Sequence, residues 1–118
     1  MIDFAELKSR APNLETWMVD VDEWGGPVML REMTGAQRMS IGERARSLAL
    51  DNAVSENFAM IAVLVANSVV GEDGEQVFSP GEFIGWREAE LAGLTKIAQE
   101  VLARNAVSVD SNEEILGN

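Results

Sequence analysis

Thr16-Trp17-Met18-Val19-Asp20-Val21-Asp22, Glu23-Trp24-Gly25-Gly26 and Pro27-Val28-Met29-Leu30-Arg31-Glu32-Met33 follow one another, and the reading of this stretch decides the fold. Trp17, Val19 and Val21 alternate with Thr16, Asp20 and Asp22, the period-two pattern of a strand with one face buried. Glu23-Trp24-Gly25-Gly26 interrupts the alternation with two residues free to take positive φ, which suits a tight reversal. Pro27 stands at the start of the next run, where a missing amide donor is tolerated, and Val28 to Met33 returns as a second strand. The pattern predicts a β-hairpin with Val19, Val21, Val28 and Leu30 on its buried face. Met29, Arg31 and Met33 fall on the opposite face.

Outward from the hairpin the signals are helical. Upstream, Phe4, Leu7 and Ala11 share one face of a short helix over 2–11 that Pro12 stops. Downstream, Thr34-Gly35-Ala36-Gln37 is a capping box that opens a helix running to Leu48 or Leu50, with Ile41, Ala45 and Leu48 inward. A break at Asp51-Asn52 precedes a second helix over Ser55 to Val69. It is apolar almost all round and is expected to be the most buried element. Gly71-Glu72-Asp73-Gly74-Glu75 is an Asp-Gly turn flanked by Val69-Val70 and Val77-Phe78, either a short second hairpin or a tight loop. Ser79-Pro80-Gly81-Glu82 starts another helix, with Phe83, Trp86 and Leu91 as its first apolar residues. Leu94, Ile97, Val101 and Leu102 carry the last helix to Asn105, with Gly93 as the point where the two pieces divide. The expected fold is α+β, mostly helical: an N-terminal hairpin packed against a bundle-like core of four or five helices. One domain spans 1–106, and 107–118, where periodicity is lost, is expected to be a flexible tail.

Composition narrows the function. The 118 residues contain no Cys and no His, which removes thiolate chemistry, the usual neutral-pH base and the commonest metal ligand. Twenty acidic against nine basic residues leave a net charge of −11. Basic residues never cluster, the closest approach being Arg38, Arg44 and Arg46, so neither nucleic acid nor an anionic membrane is an expected partner. The N-terminus lacks the basic and apolar regions of a signal peptide, and the longest apolar run, Phe58 to Val70, falls short of the ~20 residues a bilayer needs.

Motifs for chemistry fail one by one. Asp20-x-Asp22-x-Trp24-Gly25 imitates a calcium loop, but Trp24 stands where Asp or Asn belongs and Arg31 where the bidentate Glu belongs. Glu72, Asp73 and Glu75 crowd a turn where water keeps them ionised. No glycine pattern cradles a phosphate, and no Ser, Thr or Lys is paired into a nucleophile. No catalytic, cofactor or metal site is expected. Met18, Met29, Met33 and Met39 either fill a core or offer an adaptable apolar surface. Trp24, at a turn beside two glycines, either folds back onto the sheet or stands ready for a partner. Trp24, Met29, Arg31 and Met33 are therefore the candidate protein-binding residues, with Arg31 facing either acidic partner residues or Asp20 or Asp22 across the hairpin.

The stretch Trp24-Gly25-Gly26-Pro27-Val28-Met29-Leu30-Arg31-Glu32-Met33-Thr34-Gly35-Ala36-Gln37-Arg38 resembles the W-G-x-V-x-x-R-E-x-T-G segment of tail assembly chaperones from long-tailed, lambdoid-type siphovirus bacteriophages. Ile61 to Val70, then Glu72-Asp73-Gly74 and Val77-Phe78-Ser79, is similar to that family's apolar helix, D-x-G turn and F-S helix start. Leu102-Ala103-Arg104-Asn105 is similar to the end of its last helix, so the resemblance covers about residues 12 to 105. It implies a non-enzymatic protein of the host bacterial cytoplasm that binds the long helical tape measure protein and helps tail tube protein polymerise, yet is absent from the finished virion. It also implies a longer form of the chain, made by ribosomal frameshifting near the end of the reading frame. Two other readings fit an acidic chain of this size: a structural tail component retained in the virion, and an acidic mimic of nucleic acid that inhibits a DNA-binding protein. The scatter of carboxylates over hairpin, helices, turn and tail argues against the mimic.

Overall fold

The alternating stretches form β1 (Thr16–Val21) and β2 (Gly26–Arg31) in a computed structural model that describes the backbone of residues 1–115 and the side chains of residues 1–104. They pair antiparallel, with Trp17 opposite Leu30, Val19 opposite Val28 and Val21 opposite Gly26. Facing residues share a side of the sheet, so Val19, Val21 and Leu30 lie buried together as the alternation predicts. A single 3-10 turn, Asp22–Trp24, joins the strands and ends at Gly25, whose φ of 91° excludes most side chains.

The sheet has a third strand. Val69–Val70 forms β3 on the far edge of β2, pairing Leu30 with Val69 and Met29 with Val70, so the order is β1-β2-β3. The Asp-Gly turn behind it closes tightly: Gly71 N–H donates to Glu75 O at 2.9 Å, and Val70 bridges to Gln76. Two residues are too short to display a period, which is why the sequence leaves the choice between a short hairpin and a tight loop open.

Four helices complete the α+β fold: α1 (Phe4–Arg10), α2 (Gly35–Asn52), α3 (Glu56–Ser68) and α4 (Glu88–Ile115). The tail expected over 107–118 lies outside the residues whose side chains are described. Both halves of the Thr34–Gln37 box are made: Gln37 N–H donates to Thr34 Oγ1 at 3.0 Å and Thr34 N–H to Gln37 Oε1 at 2.9 Å. Ser55 caps α3 by accepting from Phe58 N–H at 3.0 Å. α3 packs between α2 and α4, and every residue from Ala62 to Ser68 is buried, which an all-round apolar helix requires. α1, by contrast, buries none of its residues, and Phe4 remains 62% exposed. Among the described residues no helix is long and apolar enough to cross a membrane.

The helical break falls elsewhere than at Gly93. The Ser79–Glu82 start opens a 3-10 segment, Pro80–Gly85, which ends at Trp86 in extended backbone, and α4 then runs unbroken through Gly93. Gly93 serves as a notch instead. A Cβ there would stand 2.8 and 2.9 Å from Cε2 and Cδ1 of the Trp24 indole, well inside van der Waals contact.

Between α2 and α3 the chain turns at Ala53, whose φ of 53° places a side chain in the left-handed region. That conformation costs a non-glycine residue ~1 kcal/mol or more, partly offset by the greater unfolded freedom of glycine. Ala53→Gly is therefore expected to stabilise the protein by about 0.5 kcal/mol, read as a higher urea midpoint at unchanged slope.

Candidate protein-binding surface

Trp24 folds down rather than standing out. Its indole N–H donates to Glu90 O at 2.8 Å, and the ring meets Trp86 and Phe78 edge to face, with centroids 5.5 and 5.8 Å away. Phe83, fully buried, packs on Trp86 at 4.8 Å and anchors this aromatic group in the core. The hairpin turn is thereby fastened to the first turns of α4. Trp24 is half-buried, and its remaining surface helps wall a hollow beside Trp86, Arg87 and Glu90.

The other three candidates lie toward the opposite end of β2, with Arg31 and Trp24 separated by roughly 20 Å of chain at ~3.3 Å per residue. Met29 sits on the outer sheet face between Met18 and Val70, half-buried. Arg31 does not pair with Asp20 or Asp22. The register sets it opposite Thr16, and its Nη1 donates to Gly74 O at 2.8 Å; its Nε is buried without a hydrogen-bond partner among the described residues. Met33 packs against the core, its sulfur 4.0 Å from Asn67 Nδ2, while Asn67 Oδ1 accepts from Arg44 Nη1 at 3.1 Å. The structure thus keeps Met29 and Arg31 on one face and places Trp24 and Met33 at separate points of the core boundary.

Exposure singles out methionines that strand facing alone ranks lower. Met18 is 55% exposed at the edge strand, directly across from Met29, and Met39 is 88% exposed on α2. Leu50, 77% exposed and eleven residues after Met39, falls on the same side of α2 at helical spacing. The signal for this stripe lay in the helix period, with Met39 and Leu50 spaced apart from the inward Ile41, Ala45 and Ala49. At the far end of the sheet, Arg104 lies 4.8 Å over the Trp17 ring and 3.0 Å from Glu15 Oε2. Among the described residues no group of three or more carboxylates is arranged to hold a metal ion.

No family model matches the chain, and no curated protein does. Among solved structures, the bacteriophage HK97 tail assembly chaperone is similar, with a TM-score of 0.51 and 22% sequence identity, covering 84% of this chain and 95% of that one. The likeness is one of fold, and it extends over most of both chains.

Proposed function

We propose that the protein is a bacteriophage tail assembly chaperone: a non-enzymatic protein of the host cytoplasm that holds the tape measure protein while tail tube subunits polymerise, and that leaves before the particle is finished. The observation that carries this reading is the fold shared with a phage tail assembly chaperone over most of both chains. The charge of −11 supports it, because like charge keeps a holder of apolar client segments dispersed. The outer sheet face contacts the client, with Met29 and its cross-strand neighbour Met18 as the adaptable apolar contacts, Arg31 as the polar one beside them, and Trp24 and Met33 as the supports at either end.

Two measurements test the reading. Removing the gene from its phage is expected to abolish tails, and mass spectrometry of purified wild-type particles is expected to find no copies of the chain. Its presence in particles at a fixed stoichiometry would favour a structural tail component instead. Met18→Ser with Met29→Ser, both at partly exposed positions, is expected to leave the domain folded and to reduce co-purification with the tape measure protein at least tenfold. Intact co-purification by the folded double variant removes the outer sheet face from the proposal.

A further inference from the structure

At the hairpin turn, Trp24, Phe78 and Trp86 wall a hollow of about 530 Å³, and Glu23 and Glu90 are among the residues that line it. Arg87 is the one cation among its lining residues. Its Nε lies 3.2 Å from Glu90 Oε1, and its side chain is 79% exposed, so it leans on the rim without filling the space. The Glu23 side chain makes no hydrogen bond or ion pair among the described residues. Aromatic walls with an unneutralised carboxylate, that of Glu23, favour a cation whose own hydration is weak and whose shape is flat.

The molecule shows elsewhere what such a set of groups takes. Near the other end of the sheet, Trp17 and Glu15 form a like combination of indole and carboxylate, and there Arg104 completes it, its guanidinium over the ring and its Nη2 on the carboxylate. The hollow at Trp24 has the indoles and the carboxylates, but among the described residues no guanidinium lies over its rings: Arg87 pairs with Glu90 at the rim without stacking on an indole. We infer that it receives the guanidinium of an arginine side chain presented by a partner polypeptide. The guanidinium stacks against the Trp24–Trp86 wall and pairs with Glu23, while Arg87 competes for Glu90. The strongly negative chain draws such a partner in. This inference does not depend on the chaperone reading, since it specifies a chemistry rather than a client.

The test titrates the full chain with acetyl-Gly-Arg-Gly-amide, or with its lysine counterpart, while 15N NMR follows the three indole N–H signals. The arginine peptide is expected to shift the Trp24 and Trp86 signals saturably, with a Kd on the order of 1 mM, and to leave Trp17 in place. Glu23→Gln is expected to weaken binding about three-fold, and Arg87→Ala to strengthen it by about the same factor by removing the resident competitor. Both changes are at the surface, and the same spectra report whether the fold is kept. Absence of a saturable shift even with Arg87→Ala overturns the inference. Equal binding of the lysine peptide overturns it as well, since planar stacking then has no part. So does a Trp17 shift as large as the other two, which reduces the effect to general attraction by the acidic chain.

Discussion

Val21→Asp is expected to cost at least about 4 kcal/mol, a large part of the 5–15 kcal/mol that holds a domain of this kind together. Val21 is fully buried on the inner face of β1, in the same core as Val19, Leu30 and residues of α3 and α4. Removing its side chain forfeits ~1.5–3 kcal/mol of apolar burial. The carboxylate that replaces it has no cation in that core and must either ionise at a cost of several kcal/mol or take up a proton. Asp20→Asn, one residue away on the exposed face, is expected to change stability by less than ~0.5 kcal/mol. Urea unfolding followed by far-UV circular dichroism distinguishes the two. A Val21→Asp protein as stable as wild type would mean that β1 is shifted by one residue, which exchanges its two faces.

Gly93→Ala is expected to destabilise by about 2 kcal/mol, against the sign that a helix interior normally gives. On an open helix the same change gains ~1 kcal/mol, because alanine has less backbone freedom to lose. Here the new methyl group enters the Trp24 indole, and the ring must shift, loosening its hydrogen bond to Glu90 O and its contacts with Trp86 and Phe78. Overpacking of this kind costs ~1–3 kcal/mol, and each displaced aromatic pair adds ~0.5–1.5 kcal/mol. The control is Trp24→Ala, expected to cost ~3 kcal/mol by itself. In that background the notch is empty, so Gly93→Ala should revert to its ordinary stabilising sign. A double-mutant cycle measured by chemical denaturation reads the coupling directly. Additive effects of the two changes would show that the indole and the notch do not meet.

These two sites mark the boundary of what the sequence discloses. The face of Val21 is legible because period two is written in adjacent residues, and the cap at Thr34 is legible because a capping residue and the amide it accepts from lie within one helical turn. The role of Gly93 is not. A glycine in a helical stretch reads locally as a weak point, whereas its reason is an indole that arrives from a hairpin far back along the chain. Arg31 misleads for a related cause: acidic residues on the facing strand are natural partners until the register sets Thr16 across from it and folds the Gly74 carbonyl over it. For the candidate surface, alternation correctly separates Met29 and Arg31 from the Val28 and Leu30 face. It does not tell how much of each the later turn covers, nor that Trp24 finds two aromatic neighbours, Phe78 and Trp86, to fold onto.

The late placing of β3 has a consequence for synthesis on the ribosome. β1 and β2 can pair as soon as they emerge, but the outer edge of β2 keeps the backbone groups of Met29 and Leu30 unmatched until Val69 and Val70 appear. At ~5–20 residues per second, the ~40 residues in between take roughly 2–8 s to make. For that interval the nascent chain presents an apolar strand edge, a template for pairing with its neighbours on the same polysome. The chain's own excess of carboxylates, Asp20, Asp22 and Glu23 among the first to emerge, is the restraint that acts during those seconds, before any third strand exists to close the sheet.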